Sequence, residues 1–471
     1  MEKLSFKNKI IYALGGLGYA LITVMHMLYL VWFFFPPADA GIPYFIPQEA
    51  VFLSFTFIGL VMALGRIFDA VSDPLIATWS DNTKSKLGRR IPFMRYSALF
   101  VGLSYVLVFF VPDISGINGI NMIWLAVWLS LSTLFLTSYL IPQTALMVEL
   151  AVHPDDKVDL ATLNSVLWFA GFLIVSFSGS FWNILQNAFG LTRLESIQYT
   201  FLGIAAMGVI FMLIPAFLLK EPGTDKINKE NIPRQPLMPA IKKVFRNKDY
   251  AVVVASTTLY NLATTMFEAG LIYYLTVLAL QDAKVQGPLT TIIGAITFAS
   301  YPFLNKFSKS LGKKRIMRFG FILFFLLFVA ISLLGVSFIP YWLAIGLVIV
   351  FAPLPQSIFG VLPNAITADC ASWDKHETGE DSAGMYFAAN GFVRKLGQTL
   401  GALLFTSLLL LGKDVGHDAG IRMAAVFGGI FSAAGFVLMQ FYNEKKMLSY
   451  MDEEHRPDSH REVKSDPLPE V

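Results

Sequence analysis

Three charged side chains stand where charge is costly. Arg66, Asp69 and Asp73 lie inside the apolar stretch RIFDAVSDP at spacings of three and four, which puts them on one face of a helix. Two carboxylates at i, i+4 approach closely enough to share a small cation or a proton, and they repel each other without one. Hard cations take oxygen ligands, and Ser72 adds a hydroxyl beside the pair. Pro74 has no N–H to bond the carbonyl of Ala70, so that oxygen is either a further ligand or the mark of a helix bend. Arg394 and Lys395 lie deep in a second apolar stretch and Glu268 in a third. Lys395 is expected to pair with Asp69 or Asp73. Arg394 points about 100° away from it on a helix, so only one of the two is expected to face the site. Glu268 is a weaker candidate partner for either. The bland alternative is a set of structural ion pairs, but ionisable residues inside a membrane usually mark function.

The same stretch ends in a basic turn, with Asp81, Gly88, Arg89 and Arg90 in DNTKSKLGRR. Ion pairs there are candidates for an inner gate latch, as are Glu149 and Asp369 at the ends of later apolar stretches. The plainer reading is topological, since basic loops stay on the cytoplasmic side.

The rest of the chain must position these residues in lipid. Of 471 residues, 55% are hydrophobic and only 15% charged, against roughly 25% charged in a soluble chain. The mean hydropathy is +0.60. Twelve apolar segments, near 10–35, 50–80, 93–112, 120–149, 161–187, 197–219, 250–280, 288–306, 316–338, 340–370, 382–412 and 420–442, each reach the ~20 residues a spanning helix needs. Backbone in lipid must satisfy itself, so these are helices and the fold class is an all-α membrane protein of twelve transmembrane helices. With both termini in the cytoplasm, 29 Lys and Arg fall on that side and 4 outside, the asymmetry that sets orientation. No removable signal peptide is expected from the first residues.

The polar stretch 220–249 reads as a cytoplasmic linker, with a short amphipathic helix near Ala240–Arg246. It separates a six-helix half, 1–219, from a second, 250–443, followed by a charged, unstructured tail, 444–471. The halves resemble each other. KSKLGRR recurs as SKSLGKK, PQTALMVEL from Pro142 as PNAITADC from Pro363, and FAGF as AANGF, at offsets of 224, 221 and 220. A parallel six-helix repeat is the arrangement in which halves rock about a central site.

Composition also excludes. The lone Cys370 rules out an internal disulfide and a cysteine metal cluster. The six histidines make no metal pair in an apolar span, and His26 reads as a packed polar residue. No nucleophile–base set is visible, so no enzyme, cofactor or resident metal is expected. A net charge of +3 without base-stacking motifs makes nucleic acid an unsuitable partner. The 42 phenylalanines are mostly packing and lipid-facing surface; Trp168 and Tyr386 are weak pocket candidates.

RIFDAVSDPLIATWSDNTKSKLGRR resembles the second helix and following loop of the glycoside–pentoside–hexuronide:cation symporters, a branch of the major facilitator superfamily. ADCASWDKHETGEDSAGMYFAANGFVRKLGQ, residues 368–398, resembles that family's second signature. The resemblance implies a cation site at Asp69 and Asp73, with Thr137 as a further ligand and Lys395 as the coupling charge. Ser72, a candidate ligand by its place, stands where the family has an amide residue, and Arg66, on the same helical face, is a second candidate coupling charge. It does not carry over the family's sugar ligands. The first-helix aspartate falls at Ala20, after Tyr19; the fourth-helix aspartate and tryptophan fall at Leu140 and Thr144; the fifth-helix arginine falls at Asn164. Substrate contacts are therefore expected from Tyr19, Gln143, Thr144, Asn164, Asn390 and Lys395.

The expectation is a plasma-membrane symporter, the inner membrane in a bacterium, functional as a monomer. It would couple Na⁺ or H⁺ to uptake of a sugar-like solute by alternating access, with the lipid bilayer, solute and cation as its partners. The same family resembles animal Na⁺-dependent lysolipid carriers, so an amphiphile carrier is one alternative and an uncoupled facilitator another.

Overall fold

A helix satisfies its own backbone, and nearly every apolar segment of this chain takes that form. The computed structural model describes residues 4–151, 154–221, 244–336, 339–379 and 382–454. The helices before the linker are α1 (Phe6–Phe34), α2 (Phe57–Asn82), α3 (Ile91–Phe109), α4 (Gly119–Leu150), α5 (Pro154–Ser176), α6 (Ser178–Phe189) and α7 (Arg193–Leu218). Those after it are α8 (Lys248–Tyr273), α9 (Gln286–Leu311), α10 (Lys313–Ser332), α11 (Tyr341–Phe351), α12 (Pro353–Thr378), α13 (Ala383–Leu408), α14 (Ala419–Met439) and α15 (Glu444–Glu454).

Nine of the described spans are long and apolar enough by composition to cross a membrane, α11 and α12 counting as one. The long helices outside that set are α2, α8 and α13. They are the three that carry Arg66, Asp69 and Asp73; Glu268; and Arg394 and Lys395. Charge lowers their hydropathy, and packing against the apolar helices holds them. With them the bundle has twelve membrane-spanning segments, the all-α major facilitator architecture.

The structure refines the expected boundaries. The fifth segment breaks at Phe177 into α5 and α6, and the tenth breaks at Ala352, just before Pro353 opens α12. The second segment begins with a small hairpin, Ala50–Phe52 paired to Phe55–Thr56, which period alone did not reveal. The tail expected to be unstructured starts instead as α15, whose Glu444, with the preceding Asn443, is tied to the bundle. Most of the linker and its proposed amphipathic helix, residues 222–243, lies outside the described residues, as does the tail beyond 454.

Small residues let the helices close. A side chain at Gly18 of α1 would meet the backbone of Gly208 and Met212 in α7 within 2.6 Å, and one at Gly171 of α5 would meet Ala20 and Leu17 of α1. So α1 runs buried between α5 and α7, and α8 packs in the equivalent way against α13 and α14. His26 sits in this core, its ring against Tyr105 at 4.1 Å and its Nε2 3.1 Å from the Tyr105 carbonyl. Between the halves the contacts run α2 to α13, α1 to α8 and α5 to α9.

The α2 sequence explains why its charges face inward. Leu64, Ile67, Phe68, Val71, Leu75 and Trp79 are all more than half exposed and recur at three and four, forming a lipid-facing stripe. The other face carries Asp69 and Ser72, both buried.

Candidate functional site

Asp69 and Asp73 converge with a side chain from the opposite half. The Lys395 ammonium of α13 lies 2.5 Å from Asp73 Oδ2 and 3.2 Å from Asp69 Oδ2. On the other side of the two carboxylates, the Thr137 hydroxyl of α4 lies 3.0 Å from Asp69 Oδ1 and 3.2 Å from Asp73 Oδ1. A compact positive centre is thus held by both carboxylates, with a hydroxyl oxygen opposite. The two Oδ1 atoms and the Thr137 hydroxyl make a donor set that suits a small hard cation, while the ammonium holds the same carboxylates from the Oδ2 side. Arg66 approaches Asp69 only at 3.8 Å, and its side chain is 43% exposed.

The structure does not bring Ser72 to this cluster. Its hydroxyl donates to the Asp69 carbonyl of its own helix at 3.3 Å, the usual fate of a serine in a helix interior. Glu268 forms no ion pair with Arg394 or Lys395 among the described contacts.

Of the expected substrate contacts, Asn164 alone lines the large cavity, a space of about 1340 Å³ between α5, α9 and α12. Asn164 is pressed against Gly16 of α1, where a Cβ would meet its Oδ1 at 2.1 Å. Gln143 is buried, its carbonyl accepting from Tyr12 and its Nε2 without a hydrogen-bond partner. Thr144 bonds back to the Ile141 carbonyl. Tyr19, Gln143, Thr144, Asn390 and Lys395 lie off that cavity's lining. Trp168 lines it, whereas Tyr386 is fully buried beside Tyr250. The sequence reading missed Phe169, Tyr301 and Gln356, which also line it. None is charged, so none stood out from its apolar neighbours.

The cavity reaches Gly312, Lys313 and Glu444, at the end of the bundle where α1 begins and α15 lies. The opposite end is closed by contacts between the halves. Tyr273 donates to the Phe35 carbonyl at 2.7 Å, Lys413 donates to the Pro36 carbonyl, and Asp414 accepts from the Ala38 N–H at 2.6 Å. The Lys413 ammonium also sits 4.9 Å from the rings of both Phe35 and Tyr44. Burial holds this ammonium below the ordinary lysine value of 10.5, partly offset by Asp414.

The residues expected to latch the inner gate pair within each half. Glu149 accepts from Arg89 at 3.1 Å and Arg90 at 3.2 Å, and Arg90 reaches Asp81 at 2.6 Å. In the second half Lys313 pairs with Asp369 at 2.5 Å. Two further carboxylates complete the networks. Glu221 accepts from the Arg90 N–H at 2.8 Å, and Glu444 from the Lys313 N–H at 2.6 Å and the Lys314 N–H at 3.1 Å. Each satisfies the free N–H groups that open a helix and complements its dipole. The turns ahead of them need Gly88 and Gly312, at φ 100° and 87°. Glu221 and Glu444 are 223 residues apart, as are Arg90 and Lys313. The shared offset extends the internal repeat to these carboxylates, which the sequence reading missed.

A family model described as MFS/sugar transport protein matches residues 11–444. The inner membrane symporter YicJ of Escherichia coli is 26% identical over 435 residues, covering 89% of this chain and 85% of that protein. The sodium-dependent lysophosphatidylcholine symporter 1 of Xenopus tropicalis is 30% identical over 162 residues, 34% of this chain and 28% of its own. Among solved structures, the nucleoside transporter NupG has the same fold at a TM-score of 0.63 and 13% identity, covering 93% of this chain and 100% of that one. The chain belongs to the MFS/sugar transport family, in its glycoside–pentoside–hexuronide:cation symporter branch, and is a multi-pass membrane protein.

Proposed function

We propose that the protein is a cation-coupled symporter that imports a sugar-like solute by alternating access, with Na⁺ bound by Asp69, Asp73 and Thr137. One observation carries this reading: an ammonium from one half is held between two carboxylates of the other. Na⁺ and Lys395 compete for the charge of the same two carboxylates. When Na⁺ enters, Lys395 is released, the tie between α2 and α13 loosens, and the halves are free to turn. The family description supports a sugar-like solute, and the sodium dependence of the lysophosphatidylcholine carrier supports Na⁺ as the ion.

The excess of Lys and Arg in loops at the terminal end supports cytoplasmic termini. On that orientation the clasp at Phe35–Ala38 closes the outside, and the cavity opens inward. The networks around Asp81, Gly88, Arg89, Arg90, Glu149 and Asp369 then serve as rigid ends on which each half turns. Coupling is reciprocal, so solute tightens Na⁺ binding by the factor by which Na⁺ tightens solute binding.

Sodium-driven uptake into liposomes, across sugars and lysolipids, tests the reading. Accumulation of a sugar only with an inward Na⁺ gradient is expected. Uptake indifferent to Na⁺ and proton gradients would make the protein an uncoupled facilitator, and uptake of lysolipids alone would replace the sugar.

A further inference from the structure

Helix α8 carries a carboxylate that no group of the protein answers. Glu268 forms no hydrogen bond or ion pair among the described residues, whereas Asp69 and Asp73 are held by Lys395 and Thr137. Its setting is not lipid. Between Tyr260 and Tyr273 the partly open positions of α8 are Asn261, Thr264, Thr265 and Glu268, and every apolar side chain among them is buried. A face turned to lipid shows the reverse, as α2 does with Leu64, Phe68, Val71 and Leu75. The four polar positions fall within an arc of about 100°. At one edge of it, Gly397 and Gly401 of α13 press on Thr258, Leu262 and Thr265. At the other, Tyr260 stacks on Phe359 of α12 at 3.9 Å. The arc therefore opens into the interior of the bundle, between α12 and α13.

Helix α1 shows the same signature. From Tyr19 to Phe34 its partly open positions are Tyr19, Thr23 and Met27, which share one face. Tyr273 of α8 bonds the Phe35 carbonyl at the end of α1 at 2.7 Å, and the two helices run toward that bond in the same direction. Counting back along each, Thr23 is level with Asn261 and Met27 with Thr265. Glu268 lies roughly 7.5 Å along the axis from the bond, beneath the clasp. The open faces of α1 and α8 thus wall one space at the closed end of the interior.

That space is rich in acceptors and poor in donors. Asn261 donates to the Thr257 carbonyl at 2.7 Å, Thr265 to the Asn261 carbonyl at 2.9 Å and Thr23 to the Tyr19 carbonyl at 2.9 Å. These donors are spent on backbone. The side-chain oxygens of Asn261 and Glu268 accept from nothing among the described residues. A charged acceptor kept from water without a donor is costly, so whatever fills the space must bring donors.

We propose that Glu268 is a solute-binding residue, its carboxylate and the Asn261 side-chain oxygen accepting hydroxyl groups of the solute. This deepens the symport reading and rests on it. Two oxygens of one carboxylate take two neighbouring hydroxyls at once, and hydrogen bonds to an ionised acceptor are the strong ones. The solute is then anchored on the second half while Asp69 and Asp73 hold the cation on the first.

The test is ligand-induced thermal stabilisation of the purified full chain in NaCl. The probes are methyl β-D-xyloside, methyl β-D-glucoside and methyl α-D-galactoside, the analogues of each that lack one ring hydroxyl, and lysophosphatidylcholine. In the wild type, loss of one particular hydroxyl weakens binding about tenfold or more, the range of a charged hydrogen bond. Glu268→Gln weakens the parent glycoside by a similar factor and that analogue no further, because the partner of the missing hydroxyl is gone. Glu268→Asp keeps the charge but sets it back by one methylene, gives an intermediate loss and stands in if the glutamine variant does not fold. Glu268 has no partner to lose, so the ligand-free Tm and the Na⁺ affinity of the variants match the wild type. A lowered Tm with altered Na⁺ affinity in both variants would make the residue structural and overturn the inference. So would unchanged glycoside affinity in Glu268→Gln, or the same deoxy loss in both proteins, and either of these leaves the symport reading standing. A response to lysophosphatidylcholine alone, or to no probe, removes the sugar reading and this inference with it.

Discussion

Lys395 Nζ lies 2.5 Å from Asp73 Oδ2, joining residues 322 apart in the chain and on opposite halves of the bundle. The pair is only one-third exposed, so its charges are poorly screened and the alternative partner for the carboxylates is a cation from solution. Lys395→Gln removes the competitor. Na⁺ affinity is expected to rise by about tenfold, ~1.4 kcal/mol, while solute and Na⁺ cease to move together. Calorimetric Na⁺ titration beside uptake measurements checks both. Unchanged Na⁺ affinity would mean that the ammonium and the ion use different seats.

Thr137 separates a ligand from a spectator. Its hydroxyl is the only group on α4 placed against both carboxylates among the described contacts. Thr137→Val keeps the shape and removes the oxygen, so Na⁺ affinity is expected to fall by about three- to tenfold, the worth of one hydrogen-bonding group. An unaltered affinity would remove Thr137 from the site.

Gly88 and Gly312 are tied to the two helix-opening glutamates. A Cβ at Gly88 would meet Glu221 Oε2 at 2.1 Å, and one at Gly312 would meet Glu444 Oε2 at 2.8 Å, both on left-handed backbone. Gly88→Ala is expected to cost ~1–3 kcal/mol of stability and Gly312→Ala less, seen as an ordered pair of drops in Tm. The reverse order would show that the two turns are not equivalent in this way.

The clasp through Lys413 carries a pH signature. Its ammonium is held below 10.5 by burial, so the clasped state binds its proton less tightly than an exposed lysine does. Raising pH between that lowered value and 10.5 therefore favours the clasped state, because the open state must give up the proton that the clasped state has already lost. Distance measurements between spin labels on the two halves at the clasped end should show more closed population at alkaline pH. Lys413→Met should abolish the trend.

The parts of the site legible in the sequence were those that break a rule of their surroundings. Arg66, Asp69, Asp73 and Lys395 are charges in apolar stretches, and that cost marks them in the sequence itself. The cross-half pairing of Lys395 followed from its depth in an apolar stretch, where an unpaired ammonium is costly. Ser72 illustrates the limit: proximity in sequence did not tell a ligand from a hydroxyl bonded to its own backbone. Phe169, Tyr301 and Gln356 were invisible because an apolar or amide side chain on a cavity wall is chemically the same as one in packing. The broken helix at Phe177 and the ordered start of the tail at Glu444 depend on tertiary contacts that no local pattern encodes, whereas the break at Ala352 has a local signal in Pro353.

The most direct test is Na⁺ binding to purified protein carrying Asp73→Asn, measured by titration calorimetry beside the wild type. The substitution keeps volume and removes one of the two charges that hold the ammonium and, on this account, the ion. Saturable Na⁺ binding in the wild type, lost or weakened at least about a hundredfold in the variant, is the expected result. Wild-type Na⁺ affinity in Asp73→Asn would contradict a cation seat at Asp69 and Asp73.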